Sequence, residues 1–401
     1  MKHLVVQSIG PVKNADIQLQ QINVIIGPQS MGKSTILKLA SFCTWVEKRI
    51  ELTQSPEEFK ENNRFRTELE TFHKLQGYIH DDSRVEYESD YMKFAYEFKT
   101  DSFTFEWKED RWKYHRPKIS YIPAERNMVA AIPNWFEVTL ERNNIRNFMA
   151  EWETARKASL KMLPVLNLHV GYTYEPEKRE DRVQIQNGET MSLTNVSSGL
   201  QSLIPLFVHL NYIYSGIYDI EKGKTLAGDW ADAALCETVY RELFVNKGRT
   251  KGVNSSFIDE ETGKQKLRNS TIIHPYGGRL YMFSTSDDGA AFDSVMNQYL
   301  LTHHCEVFLE EPENNLFPTT QMSLARWLYE KTLGDRTNTL FIATHSPYVL
   351  AALLEKNAGI GFFYTLEKDG MATVRTATKD DCQAIYDYGV DAFFNIESLG
   401  E

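Results

Sequence analysis

Four short stretches carry residue types and spacings that could do chemistry. The first is Gly27-Pro28-Gln29-Ser30-Met31-Gly32-Lys33-Ser34, with Thr35 opening an apolar helical run. Glycines at these positions let a loop wrap closely, so that backbone N–H groups and a helix N-terminus can hold anionic phosphates. Lys33 can reach the outer phosphates and Ser34 can place its hydroxyl on Mg²⁺. Gly27, Gln29, Ser30, Gly32, Lys33, Ser34 and Thr35 are therefore candidate nucleotide contacts. The second stretch, Glu310-Glu311-Pro312-Glu313, follows the apolar run Val307-Phe308-Leu309. Adjacent carboxylates at the end of a buried strand are costly unless a metal or water chemistry uses them. Glu310 is the candidate metal ligand and Glu311 the candidate base. In the third, Leu340-Phe341-Ile342-Ala343 runs into Thr344-His345-Ser346-Pro347, and in the fourth Ser197-Ser198-Gly199 precedes an apolar helical pattern beginning at Leu203. Two hydroxyls and a glycine at a helix start make an anion-binding cap.

The elements that must position these residues follow from local pattern. Ile22-Asn23-Val24-Ile25-Ile26 reads as a buried strand delivering the glycine-rich loop, with Ile36, Leu37, Leu39, Ala40 and Cys43 on a buried helix behind it. Ser55-Pro56-Glu57-Glu58 starts a polar helix expected to run to about Leu75. From Val85 to Ile122, aromatic and β-branched segments alternate at period two, which predicts an antiparallel meander ending in Ile119-Ser120-Tyr121-Ile122. The charged loop Pro123-Ala124-Glu125-Arg126-Asn127 follows. Residues 140 to 163 read as a helix with a solvated, mixed-charge face, and Asn187-Gly188 as the turn of a hairpin leading to Ser197. The run from Thr319 to Leu333 is helical. Asp369-Gly370 marks a second hairpin turn, before a short helix near Asp380 to Tyr388.

The chain has 401 residues, 42% of them apolar and 25% charged, an ordinary composition for a globular protein with room for two or three sub-domains. A net charge of −11 argues against a uniformly basic nucleic-acid binder. No apolar run is long enough to span a membrane and no leader pattern opens the chain, so the expected location is cytoplasmic. Cys43, Cys236, Cys305 and Cys382 are too scattered for a zinc knuckle or a disulfide framework.

In this order the motifs resemble those of ABC-type ATPases of the SMC, RecF and OLD-like branch, in particular stand-alone bacterial ATP-binding proteins with a Pro-Ala-Glu-Arg loop, a Ser-Ser-Gly signature and a Glu-Glu-Pro-Glu acidic motif. The resemblance implies an α/β fold: an ABC-type P-loop ATPase head with an antiparallel β subdomain and a mixed insertion, without a long coiled coil. It divides the chain into residues 1–213 and 301–401 for the two parts of the head and 214–300 for an inserted docking module. Glu310 stands where such ATPases usually have aspartate, and their usual glutamine before the signature is not evident.

The resemblance also implies ATP and Mg²⁺ as ligands. Lys33, Glu311 and His345 would be the catalytic residues, with His345 as the switch histidine at the γ-phosphate. Ser34 and Glu310 would serve the metal. Ser197, Ser198 and Gly199 would close over the nucleotide of a second subunit, making an ATP-sandwiched dimer the minimal unit. Such ATPases control a separate effector, a nuclease or toxin, in anti-phage defence. A RecF-like DNA-repair ATPase, with nucleic acid as partner, is the alternative from the same branch; a transporter subunit and a non-hydrolysing nucleotide-binding scaffold are the others.

Overall fold

A computed structural model describes residues 2–388 apart from 133, 219–229, 251–255, 259–264, 268–271, 277–278, 357–358 and 369. Its organising element is a mixed sheet built from β1 (Lys2–Ile9), β2 (Val12–Leu19), β3 (Ile22–Ile26), β4 (Ile79–Glu88), β5 (Met92–Glu97), β6 (Ser102–Trp107) and β7 (Pro117–Ile122), to which the chain returns much later. A small antiparallel sheet comes between, from β8 (Leu163–Pro164), β9 (Gly171–Glu175), β10 (Glu180–Gln184) and β11 (Thr190–Ser192). Within the insertion lie the hairpins β12 (Ser256–Ile258) with β13 (Gln265–Leu267) and β14 (Ile272–Tyr276) with β15 (Arg279–Phe283). The returning strands are β16 (His304–Glu310), β17 (Thr339–Ala343), β18 (Ile360–Lys368) and β19 (Met371–Thr376).

The strand order of the main sheet is β6-β5-β4-β1-β2-β19-β18-β3-β17-β16-β7. Its β6-β5-β4-β1-β2 half is antiparallel, whereas β18, β3, β17, β16 and β7 run parallel. All five residues of β3 are buried, as a parallel strand covered on both faces requires. Ile22, Val24 and Ile26 face one core, shared with the helices Asn144–Ala158, Ser198–Asn211, Pro318–Thr332 and Pro347–Leu354. Ile25 faces the other, filled by the helix α1 (Lys33–Thr53) and the aromatic side chains of the meander.

These layers are the expected α/β architecture with an antiparallel subdomain and a mixed insertion. The longest described helix is α1, with 21 residues, so no long coiled coil exists among the described residues. Part of the insertion has a small core of its own, where Leu235, Val239, Phe244, Phe283 and Phe292 meet Tyr114 and Tyr299.

Three local expectations need correction. The segment Ile119–Ile122 does not close the meander: β7 crosses to the far edge and pairs parallel with β16, where Tyr121 and Ile122 find buried surface. The helix begun near Ser55 ends at Lys60 and restarts at Arg64, because Asn62 and Asn63 adopt left-handed backbone, which asparagine tolerates. The helix expected over 140 to 163 spans Asn144–Ala158, set at its start by Asn143, whose side chain accepts a hydrogen bond from the Arg146 N–H at 3.0 Å. The Asn187-Gly188 hairpin forms with Gly188 at positive φ, pairing Gln184 with Thr190. At the second hairpin Gly370 has positive φ, while Asp369 lies outside the described residues.

Candidate functional site

The glycine-rich loop leaves the C-terminal end of β3 and turns into α1. Gly27 has φ 147°, and a Cβ there would come within 1.9 Å of Thr365 Oγ1 on β18. Gly32 has φ 78°, and its Cβ would meet Val12 Cγ2 at 2.3 Å. Both positions admit only glycine without displacement of a packed neighbour. Ser30 takes a left-handed φ of 63° between them, and Pro28, Gln29 and Ser30 are exposed. Gly32 caps α1 with no side-chain hydrogen bond, whereas Asn143, Ser197, Thr285 and Ser346 cap their helices with side chains. The first-turn amides of α1 are thus left for another acceptor. Lys33 is buried, and its Nζ donates to the Gly27 and Pro28 carbonyls at 2.8 and 2.6 Å, folding it back along the loop. Burial lowers its pKa to about 8, against the opposing pull of the Glu311 and Glu313 carboxylates.

Glu310 ends β16, two strands from β3. It is buried, and its carboxylate accepts from the Tyr121 hydroxyl at 2.7 Å and the Ala124 N–H at 3.2 Å. Glu311 follows with φ 42°, a strained conformation for a residue with a Cβ. Arg126 explains how it persists. This buried guanidinium donates to the Glu310 carbonyl at 2.8 Å and the Glu311 carbonyl at 2.7 Å, clamping the backbone on both sides of the bend. Burial pulls its pKa down to about 10, while Glu313, Glu311, Glu310 and Glu125 hold the charge in place.

The acidic loop is tied to the histidine loop by Glu313. Its carboxylate accepts from the Thr344 hydroxyl at 2.8 Å and from the His345 N–H at 2.6 Å. Burial, with Glu311 adding to it, pushes the Glu313 carboxyl above the usual range, and the His345 and Thr344 hydrogen bonds oppose the shift. The His345 ring stands with Nε2 3.9 Å from Glu311 Oε1. Burial and then the Lys33 charge lower its pKa, Glu311 opposing, so the imidazole is neutral at pH 7. Ser346 caps the next helix, accepting from the Tyr348 and Val349 amides, each at 3.1 Å.

Lys33, Glu311, Glu313 and His345 thus form one interacting charge cluster at the C-terminal ends of adjacent parallel strands, where ligands bind in open α/β sheets. Ser34 begins α1 beside Lys33, and Thr35 is buried one residue on. Ser197 and Ser198 are exposed at the N-terminus of the helix Ser198–Asn211. Gly199 lies where a Cβ would press to 3.1 Å against the Asn315 carbonyl, and Asn315 Nδ2 donates to Ser202 at 2.8 Å. The turn at Ser197 to Gly199 is therefore packed on the loop that carries the acidic residues.

The residue-type reading missed the roles of Glu313, Arg126 and Tyr121. For Glu313 a signal existed, three carboxylates within four positions; Arg126 and Tyr121 act through contacts distant in sequence. Glu125 is exposed beside this group, and the clamp is Arg126.

No family model and no curated protein matches the sequence. Among solved structures, an SMC head bound to the C-terminal winged-helix domain of ScpA aligns over 96% of this chain and 99% of its own, at 10% identity and a TM-score of 0.40. The recombination mediator protein RecF aligns over 93% and 97%, at 10% identity and a TM-score of 0.29. The ADP conformation of an ATP-binding cassette from an ABC transporter aligns over the whole of both chains, at 9% identity and a TM-score of 0.34. No described helix is long and apolar enough to cross a membrane.

Proposed function

We propose that the protein binds and hydrolyses ATP in a site shared between two copies of the chain, and that the resulting change of assembly controls a separate effector. The observation that carries the chemistry is the joining of Lys33, Glu311 and His345 in one cluster, with Glu311 held in a strained backbone by Arg126 and the His345 loop tied down by Glu313.

The loop fits a triphosphate substrate. Its two glycines leave room that side chains would fill, the first-turn amides of α1 lack a side-chain cap, and Lys33 is already inside the loop. Ser34 and Glu310 supply the hard oxygen donors that Mg²⁺ takes, and the ion, when bound, neutralises charge on the phosphate oxygens. The protein's own groups do the rest. Glu311, exposed enough to meet solvent, orients a water molecule and accepts its proton as the water oxygen attacks phosphorus and the bond to the leaving phosphate breaks. Neutral His345 offers a hydrogen bond to the transferring phosphoryl group without adding a cation beside Lys33. Arg126 and Glu313 are positioning residues, fixing the bend at Glu311 and the loop of His345.

Two features support a shared site. Ser197 and Ser198 present hydroxyls and a helix N-terminus outward, suited to the phosphate of a partner's nucleotide, and Phe317, 73% exposed, stands on the same acidic loop as a large apolar contact. The inserted module at 214–300 is the proposed docking element for the effector, a nuclease or toxin in a defence system. Glu311→Gln is expected to lower turnover by at least about 100-fold, the scale of a lost general base, while ATP binding persists; unchanged turnover would remove Glu311 from this role.

A further inference from the structure

A cavity of about 520 Å³ opens between α1, the helix Arg64–His73, β7 and the helix Asn144–Ala158. That is within the range for small-molecule sites, and none of its lining belongs to the glycine-rich loop, the acidic motif or the histidine loop. Two kinds of group face it. Trp45 and Phe72 supply flat apolar walls, backed by Phe42, which stacks on Trp45 with ring centroids 5.7 Å apart. Lys48 and Arg146 supply positive charge.

The charges of the lining do not cancel. Arg49 pairs with Glu58 at 2.7 Å, Arg142 with Glu68 at 3.3 Å, and Lys118 with Glu151 at 2.5 Å. Lys48 has only the Pro117 carbonyl, at 2.7 Å, and Arg146 only the Leu140 carbonyl, at 3.5 Å. Both cations thus lack a carboxylate partner among the described residues. Burial, and then repulsion by Arg116 and Lys118, holds the Lys48 pKa down to about 7 against the pull of the Glu306 and Glu151 carboxylates, and an anion bound at the ammonium would raise it. The second observation is His73, 1% exposed on the cavity wall, whose Nδ1 has no hydrogen-bond partner. A buried polar atom left open in a native fold calls for a partner.

We propose that this cavity is a second ligand site, for a phosphorylated molecule carrying a flat ring, of which a nucleoside monophosphate is the natural example. The ring would lie against Trp45 and Phe72, where stacking is favourable, and the phosphate would meet Lys48 and Arg146 through charge-assisted hydrogen bonds.

The walls also lead to the candidate catalytic site. Tyr121, edge-on to His73 with ring centroids 5.1 Å apart, donates to Glu310. Glu151 accepts from Ser120 at 2.6 Å and lies 3.2 Å from His209, on the helix that carries Ser197 at its start. Lys48 and Trp45 stand on α1, which begins at Lys33. A ligand here would therefore bias Glu310, the signature helix and the phosphate-loop helix together. This coupling rests on the ATPase reading above; the binding itself does not.

The test is calorimetric titration of the full-length protein with the four ribonucleoside monophosphates, with inorganic phosphate and adenosine as partial probes. It is run in the Lys33→Ala background, so that the phosphate loop cannot account for the signal. At least one monophosphate should bind more tightly than about 1 mM, a dissociation constant typical of a weak but specific site, and at least tenfold more tightly than phosphate or adenosine. Arg146→Glu, at an exposed position and expected to leave the melting temperature unchanged, should weaken that binding at least tenfold, and Trp45→Leu should weaken it while sparing any binding of phosphate. Absence of binding by all four, equal binding of phosphate alone, or indifference to Arg146→Glu would each overturn the proposal. If a monophosphate binds but leaves ATP turnover of the wild-type protein unchanged, the site stands and the coupling falls.

Discussion

Arg126 bears most directly on how the acidic pair is held. Its guanidinium is buried and spends two donors on the carbonyls of Glu310 and Glu311, at the point where Glu311 adopts φ 42°. Removing it would leave both carbonyls and the nearby carboxylates without their cation. Arg126→Ala is expected to cost about 3–5 kcal/mol in denaturant unfolding, the scale of a broken buried charge network. Arg126→Lys, which cannot reach both carbonyls from one planar fork, should keep part of the stability and lose most of the turnover. Equal stability of Arg126→Ala and wild type would contradict the clamp. Lys33 yields a pH prediction. With its pKa lowered to about 8, it is charged at pH 7 and largely neutral above pH 9. Phosphate binding needs the charge, so the dissociation constant for ATP should be flat below pH 7 and then rise toward about tenfold per unit above pH 8. Lys33→Ala should abolish that slope. At Gly27, alanine would put a Cβ 1.9 Å from Thr365 Oγ1, so Gly27→Ala should weaken ATP binding sharply, checked by the same titration.

At the scale of elements, the glycine-rich loop was legible because its constraints are local: a five-residue apolar strand, glycines where the backbone turns left-handed, and a helix that follows at once. The strands ending in Glu310 and Ala343 were legible for the same reason. β7 was not. Its alternation matches the meander before it, and only the long-range pairing of His304 with Pro117 through Leu309 with Ile122 places it at the opposite edge. The break at Asn62 and Asn63 was hidden by good helix formers on either side. Glu313 was visible as a residue type, but its bonds to Thr344 and His345 join loops that only the parallel pairing of β16 with β17 brings together. That makes Glu313 a coupling between two elements. Glu313→Ala should free the histidine loop and lower kcat with little change in KM for ATP, measured by steady-state hydrolysis. A matching fall in ATP affinity instead would move Glu313 from positioning to binding.

On the scale of the whole molecule, the sheet puts Lys33, Glu311 and His345 together within one chain, while Ser197 and Ser198 face outward from the helix packed on the Asn315 loop. One chain therefore presents both a glycine-rich loop and an outward-facing helix cap, and under the proposed function a two-fold pairing would complete two sites in one interface. Complementation between inactive variants tests this most directly. Lys33→Ala removes the proposed phosphate-binding lysine, and Ser197→Arg, at an exposed position, blocks the proposed partner-facing turn; each protein alone should hydrolyse ATP at background rate. In a heterodimer of the two, one site pairs an intact Lys33 with an intact Ser197. Mixing them is predicted to restore turnover, rising with the concentration of either partner. Full activity of Ser197→Arg alone, or no recovery on mixing although the heterodimer forms, would contradict the shared site.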